Sequence, residues 1–531
     1  MAAPRSFSVW NRVLKEHSRV PQLRGPHRRL LACGVEVPRT WGPGKLLSLL
    51  RVLSFFALPL LLAGCKPVGP NYARPAYHAP DAYKETGASA VVPPENPAGG
   101  GWSPANPSDG MLRGKWWEIY KDAQLNVLED RITTGNQNLR RAAEVYLAAR
   151  DQVAVARASL FPLVGAAVSA SRNDLSQNRP AASSTTHYND YVVGGQASWE
   201  PDFWGRIRRT VEQARDNAQA SAADLATVDL SLHAELAADY FQLRGLDADS
   251  KLLASTVASL HNQLQLTQTR LAGGVATEAD VAQAQTQFDM VRAQLIEVGV
   301  ARAQFEHAIA TLTNQNASAF SLAPAPLDLD LPRVPLGVPS QLLERRPDIA
   351  AAERRTAAAN EQIGIAISAF YPDIPLGATA GYESVHTGVW LSGPSTFWSL
   401  GAKAAELLFD AGQRRAVTGQ SRHAYEAQAA AYRATVLAAF NGVEDQLSTL
   451  RILEQESTVE QQAVASAQHS FDLANTRYQG GVTSYLEVLT AETALLTNQR
   501  TLIGLRTRQF VSSLALIRAL GGGWDTSQLP R

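Results

Sequence analysis

Three carboxylates crowd the stretch LLERRPDIAAAERR: Glu344, Asp348 and Glu353. Neighbouring carboxylates are the residues of general acid–base chemistry, which needs one of them to hold a proton near neutral pH. Here Arg345, Arg346, Arg354 and Arg355 interleave with them. A guanidinium beside a carboxyl keeps it ionised, so the pattern predicts a salt-bridged surface rather than a proton-transfer pair. The 10 histidines are scattered, with neither HExxH nor another ligand spacing, and no P-loop or Gly-rich dinucleotide turn occurs. The expectation is a protein that is not an enzyme and that ligates no metal.

That leaves the thiols, Cys33 and Cys65. Lys45 and Arg51 flank a short apolar run, Val52 to Leu62, that closes on Leu62-Ala63-Gly64-Cys65. A basic start, an apolar stretch of about 7–15 residues and small residues before a cut describe a signal peptide. The run falls short of the roughly 20 apolar residues a spanning helix needs. Its ending resembles a bacterial lipobox, which implies cleavage before Cys65 and a covalent lipid on it, the one prosthetic group expected. Lys66, where an aspartate would favour the inner membrane, points to the outer one. The alternative is a free or disulfide-bonded Cys65, whose one possible partner, Cys33, lies in the segment expected to be removed. Residues 1–44 are basic and unpatterned and fit no export signal, so they are expected to be a non-native extension before a 45–64 signal segment.

The formal net charge of zero conceals an asymmetry. The first 64 residues hold ten of the 49 Lys/Arg and two of the 49 acids, leaving 39 against 47, a net of −8, from Cys65 onward. A chain of that sign is a poor partner for nucleic acid.

What positions any site is a duplication. RLAGGVATEADV (270–281) and RYQGGVTSYLEV (477–488) share one design, a helical pattern interrupted by two glycines and restarted at a polar cap, Thr483 or Ser484 in the second copy. Arg270 matches Arg477, Gly273-Gly274-Val275 matches Gly480-Gly481-Val482, and Val281 matches Val488, each 207 positions apart (477 − 270, 480 − 273, 488 − 281). Upstream, Gly205 and Gly412 keep the same offset, while SLFPLV (159–164) and AFYPDI (369–374) are 210 apart (369 − 159). Two copies of about 200 residues are a duplicated domain, since solenoid periods run to about 50.

Each copy alternates apolar and small polar residues before its long helix. Val164, Ala166, Val168 and Ala170 share a face, then Val193, Gly195, Ala197 and Trp199 after a polar loop at 172–189. The second copy has Ile374, Leu376, Ala378, Ala380 and Tyr382, then Trp398, Leu400, Ala402 and Ala404. Runs of about 9–11 residues with one apolar face suit membrane-spanning strands. Four strands cannot close a barrel and lipid tolerates no open edge, so several chains must share one; three would give about twelve strands. From about Arg208 to Leu271 and Arg415 to Tyr478 the apolar steps of three, four and seven predict helices of roughly 64 residues, some 95 Å long. Such helices are too polar to cross a bilayer and must stand away from it. The expected segments are a tether 65–115, copy one 116–323, a Pro-rich linker 324–346, copy two 347–523 and a tail 524–531, with Pro347 opening a helix.

These residues resemble the outer-membrane efflux proteins, the TolC-like channels, in the lipoprotein branch serving resistance–nodulation–division pumps. The likeness rests on LLAGCKPVGPNY (61–72), WWEIYKDAQL (116–125), WEPDFWGRIRR (199–209), LLERRPDIAAAE (342–353) and both Gly-Gly-Val tips. It implies a mixed α and β homotrimer: a 12-stranded barrel in the bacterial outer membrane, four strands per chain, continued by an α-helical barrel through the periplasm. The implied task is passive exit of drugs or other small molecules delivered by an inner-membrane pump and a periplasmic adaptor. In that family the tips close the duct, and by position Asp280 matches the first-copy acid of the closure, Tyr478 its tyrosine and Glu487 an acid of the constriction. Thr483 stands where an arginine can link the tips and Thr490 where a second acid can lie, which implies fewer polar links. The tips, Gly273, Gly274, Val275 and Gly480, Gly481, Val482, are the expected adaptor-docking surface. The rival is a lipid-anchored periplasmic coiled-coil scaffold without a pore, which leaves the four alternating segments unexplained.

Overall fold

The structure is a computed structural model that describes residues 66–77, 79–80, 82–86, 114–176, 178, 187–336 and 339–530. Cys65 and everything before it, the expected extension and signal segment included, lie outside the described residues.

Copy one runs α1 (Ala123–Gly135), α2 (Gln137–Ala158), β1 (Leu163–Asp174), β2 (His187–Trp199), α3 (Arg206–Ala272) and α4 (Glu278–Leu312). Copy two runs α5 (Pro347–Ser368), β3 (Leu376–Ser384), β4 (Thr396–Ala402), α6 (Gln413–Gln479) and α7 (Tyr485–Ala519). α3 and α6 are both 67 residues long, α4 and α7 both 35, and α2 and α5 both 22. The duplication is therefore structural. At about 1.5 Å per residue the longest pair spans roughly 100 Å.

Each long helix springs from a glycine in the left-handed region, Gly205 at φ 79° and Gly412 at φ 90°. An aspartate just upstream satisfies the free N–H groups of the first turn. Asp202 accepts from the backbone N–H of Ile207 and Arg208 at 3.0 and 2.8 Å, and Asp410 from that of Arg414 at 3.0 Å. Arg208 and Arg414 then fold their own side chains back onto those carboxylates.

The four strands form one antiparallel meander in the order β1-β2-β3-β4. Register aligns the apolar face across all of them. Val164, Ala197, Ala378 and Leu400 form one row, and Ala166, Gly195, Ala380 and Trp398 the next. The opposite face carries Gly165, Gln196, Thr379 and Ser399 in one row. An apolar face against a small and polar one is the pattern of a wall between lipid and water. Among the described residues no helix is long and apolar enough to cross a membrane. Among the described residues no strand pairs with the outer edges of β1 and β4.

Strand ends depart from the sequence reading. β1 continues through Arg172 to Asp174 and β2 begins at His187, so part of the expected polar loop is ladder, with Asp174 and His187 paired at 3.1 Å. Backbone pairing does not require apolar side chains, and polarity hid the extension. β3 starts at Leu376 rather than Ile374, because Pro375 has no N–H to give the ladder and only the Asp373–Ala405 bridge precedes it. β4 accordingly ends at Ala402, short of Ala404.

Below the sheet, Trp116, Trp117 and Tyr120 drive into a core with Leu125, Leu236, Phe241, Ile309, Phe510 and Ile517, joining both copies. One ionisable pair is sealed there: His233 Nδ1 lies 2.6 Å from Glu129 Oε2, with Trp117 stacked on the imidazole at 4.3 Å. Burial alone lowers the His233 value, but bonds to Asp229 and Glu129 outweigh it and raise it to about 9.

The segment after Cys65 is a strap. Val68 N–H bonds the Trp204 carbonyl at 3.0 Å, and buried Arg209 donates to the carbonyls of Val68 and Gly69 and to Glu361. Further on, Tyr72 bonds Glu353 at 2.7 Å and Glu85 pairs with Arg451 at 2.6 Å. Two of the three acids singled out in the LLERRPDIAAAERR stretch sit in such pairs: Arg346 grips Asp348 at 2.6 Å, and Glu353 takes Tyr72 and Arg354.

Candidate functional site at the helical tips

The α3–α4 and α6–α7 turns are built alike. Arg270 C=O accepts from Val275 N–H at 2.8 Å and Leu271 C=O from Gly274 N–H at 2.9 Å. Arg477 accepts from Val482 at 2.9 Å and Tyr478 from Gly481 at 3.0 Å. This closing pattern requires one left-handed residue, supplied by Gly274 (φ 73°) and Gly481 (φ 74°). Gly273 and Gly480 are different. Their φ values of −81° and −74° suit any residue, and an added Cβ would meet only ordinary contacts. Val275 and Val482 stand 72% and 71% exposed at the apices.

Past the apex the copies diverge. Thr277 and Asp280 form a reciprocal capping box at α4: Asp280 N–H reaches Thr277 Oγ1 at 3.2 Å, and Thr277 N–H reaches the Asp280 carboxylate at 2.9 Å. Ser484 caps α7 by backbone position alone, and the Thr483 hydroxyl is buried without a partner.

Tyr478 and Asp280 are not brought together. Asp280 is engaged by Thr277, whereas the Tyr478 hydroxyl lies 3.4 Å from Thr267 on α3. The turns are instead tied by Arg270, which the sequence reading used only as a landmark of the repeat. Its Nη1 donates to the Tyr478 carbonyl at 2.8 Å and its Nη2 to the Gln479 carbonyl at 3.1 Å. The guanidinium carbon lies 4.6 Å from the Tyr478 ring centroid, and Tyr485 packs edge-on to that ring. An arginine thus crosses between the turns from copy one. The repeat pairing of Arg270 with Arg477 was the available signal, but their partners lie two hundred residues apart or in the next helix.

Glu487 is exposed on the α6–α7 side, 3.8 Å from Arg477, with Leu473, Leu486 and Thr490 lining the same shallow hollow. Two turns along α7, Glu492 is fully buried at the seam with α3. Its Oε1 lies 3.5 Å from Gln263 Nε2 and its Oε2 has no hydrogen-bond partner. Nothing at the tips assembles a nucleophile with a base or a cluster of metal ligands; the geometry is that of two hairpins tied to each other by hydrogen bonds and ring contacts, with one long ion pair within the second.

Comparison with known proteins accords with this geometry. Residues 129–315 and 338–522 match the profile of the family described as outer membrane efflux protein. The antibiotic efflux pump outer membrane protein ArpC of Pseudomonas putida is 32% identical over 476 residues, 89% of this chain and 96% of that protein. The pyoverdine export outer membrane protein OpmQ of Pseudomonas aeruginosa is 31% identical over 433 residues, 80% of this chain and 90% of its own. Among solved structures, the outer-membrane channel OprN superimposes with a TM-score of 0.78 at 28% identity, covering 86% of this chain and 99% of that one. The outer membrane protein VceC of Vibrio cholerae gives 0.73 at 29% identity, over 77% and 99%.

Proposed function

From the premise that this chain belongs to the outer membrane efflux protein family, we propose that three copies form one duct for small molecules, gated at the α3–α4 and α6–α7 tips. The chain is an outer-membrane component of an efflux system, in a family of channels rather than enzymes. The observation that carries the duct is the sheet: one apolar face in register over four strands, with two unpaired edges, above helices of 67 residues. Edges of that kind are satisfied in lipid by joining the β1 of one copy to the β4 of the next, about twelve strands for three copies. A lipid-anchored scaffold without a pore has no use for that sheet.

The finer reading follows the same logic. Val275 and Val482 at the apices, beside glycines that leave the backbone bare, suit docking by a periplasmic adaptor, with an inner-membrane resistance–nodulation–division pump beyond it. Asp280 stabilises one hairpin, Tyr478 receives the inter-tip arginine, and Glu487 supplies the acid at the constriction. The strap is tied to the root of α3 through Val68, and in this reading a lipid on the preceding Cys65 anchors it in the adjoining membrane; Cys65→Ser is expected to abolish fatty-acid labelling. The cargo class is proposed to be small organic compounds, since relatives are named for antibiotics, toluene and pyoverdine. The test is planar-bilayer recording of the detergent-extracted protein together with its electrophoretic migration before and after heating. A heat-labile trimer that conducts is expected. A heat-insensitive, non-conducting species overturns the duct and returns the scaffold.

A further inference from the structure

The tips hold one buried carboxyl group that neither the hairpins nor the ion pair employs. Glu492 is 4% exposed, on the face of α7 that also carries Tyr485 and Val488. It looks across the seam at Gln263 of α3. Its neighbours make a chain of long contacts: Tyr485 Oη to Gln263 Oε1 at 3.4 Å, Gln263 Nε2 to Glu492 Oε1 at 3.5 Å, and, from α4, Gln287 Nε2 to Thr493 Oγ1 at 3.4 Å. Oε2 is sealed from solvent with nothing to donate to it or accept from it.

We propose that Glu492 is a proton-dependent latch: protonated, it lets α7 seat against α3 and hold the tip closed, and on losing its proton it forces the seam apart. An ionised carboxylate with one free oxygen in a seam closed to water is costly, whereas the acid form is tolerated there. Opening the seam restores water to the carboxylate. This rests on the reading that the tips gate the duct.

No other charge settles the matter. The facing groups are Gln263 from α3 and Tyr485 of α7, with Gln287 of α4 bonded to Thr493 alongside. The charged side chains of the tip are engaged elsewhere: Arg270 on the Tyr478 and Gln479 carbonyls, Asp280 on Thr277, and Arg477 with Glu487. Burial raises the Glu492 carboxyl from its ordinary 4.5 to about 7, opposed by the Gln263 bond. The sign follows. The closed seam binds the proton more tightly than the open one, so closure is fully supported below about 4.5 and lost as pH rises through about 7. Within that window the open-to-closed ratio rises up to about tenfold per pH unit and per chain.

The experiment compares the extracted full-length protein with Glu492→Gln and Gln263→Leu between pH 5 and pH 8. One readout is amide-exchange protection of residues 485–496, corrected for intrinsic exchange; the other is conductance in bilayers. Wild-type protection is expected to fall by at least tenfold with rising pH. Glu492→Gln should remain protected throughout, and Gln263→Leu, which removes the one bond to the charged form, should move the transition to higher pH. Equal pH dependence in wild type and Glu492→Gln overturns the latch. If protection follows the expected pattern while conductance does not, the latch stands and the gating role of the tips falls.

Discussion

At the residue scale, the tip shows why an ordinary-looking arginine outweighs the residues that attract notice. Arg270 makes two charge-assisted hydrogen bonds to carbonyls and a face contact with Tyr478. Hydrogen bonds to charged groups contribute about 1.5–3 kcal/mol each when shielded, less for the partly exposed Gln479 contact. Tyr478→Phe removes only the 3.4 Å approach to Thr267. Arg270→Ala is therefore expected to raise resting conductance in single-channel records well beyond Tyr478→Phe; equal effects would mean the hydroxyl, not the guanidinium, holds the tips. The sealed His233–Glu129 pair is a second case. Its imidazole value is raised to about 9, so its stabilisation is complete below 6.5 and lost as pH rises through 9. Melting temperature should fall over that interval in wild type, where burial also raises the Glu129 carboxyl to about 7, and should be lower throughout in His233→Leu, which leaves that carboxyl buried without its imidazole. A wild-type melting temperature that holds constant from pH 6.5 to 9.5 would deny the pair this role. Neither pair was legible in sequence: Glu129 and His233 are 104 positions apart, and nothing local marks them.

At the element scale, much was legible because local physics sets it. The helices follow apolar steps and glycine stops, and their ends fell within a few residues of expectation. Strand faces followed alternation, but strand ends did not, since polar residues from Arg172 to Asp174 pair as well as apolar ones. The tip glycines were recognised as a set, although only Gly274 and Gly481 need glycine for their backbone angle. That division separates two effects. Gly274→Ala places a side chain in the left-handed region and should cost about 1–2 kcal/mol of local stability, read as faster amide exchange in the turn. Gly273→Leu or Gly480→Leu fits the hairpin and should leave melting temperature unchanged while cutting efflux, measured as dye accumulation in cells carrying pump and adaptor. Normal efflux in both leucine variants would place docking away from the apices.

At the scale of the whole molecule, the residues from Cys65 onward carry a net charge of −8, and a duct made of several copies brings those charges around one lumen. A narrowing lined by like charges gathers cations, which predicts cation selectivity and block by multivalent cations at the periplasmic end. Glu487 enters this with a partner the sequence did not disclose, Arg477 at 3.8 Å, both more than half exposed. An exposed pair of that length is loosely held. It offsets part of the local field without fixing either side chain, so the two substitutions must act in opposite directions. Glu487→Ala leaves Arg477 alone and should weaken block by a trivalent cation. Arg477→Ala frees the carboxylate and should strengthen it, with high salt erasing both differences because the Debye length falls to about 3 Å at 1 M. Titrating the blocker against single-channel current in the three proteins decides the point. If block is unchanged in both variants, the cation-gathering acids lie elsewhere along the duct, and Asp280, on the neighbouring hairpin with its carboxylate already bound to Thr277, is the next to substitute.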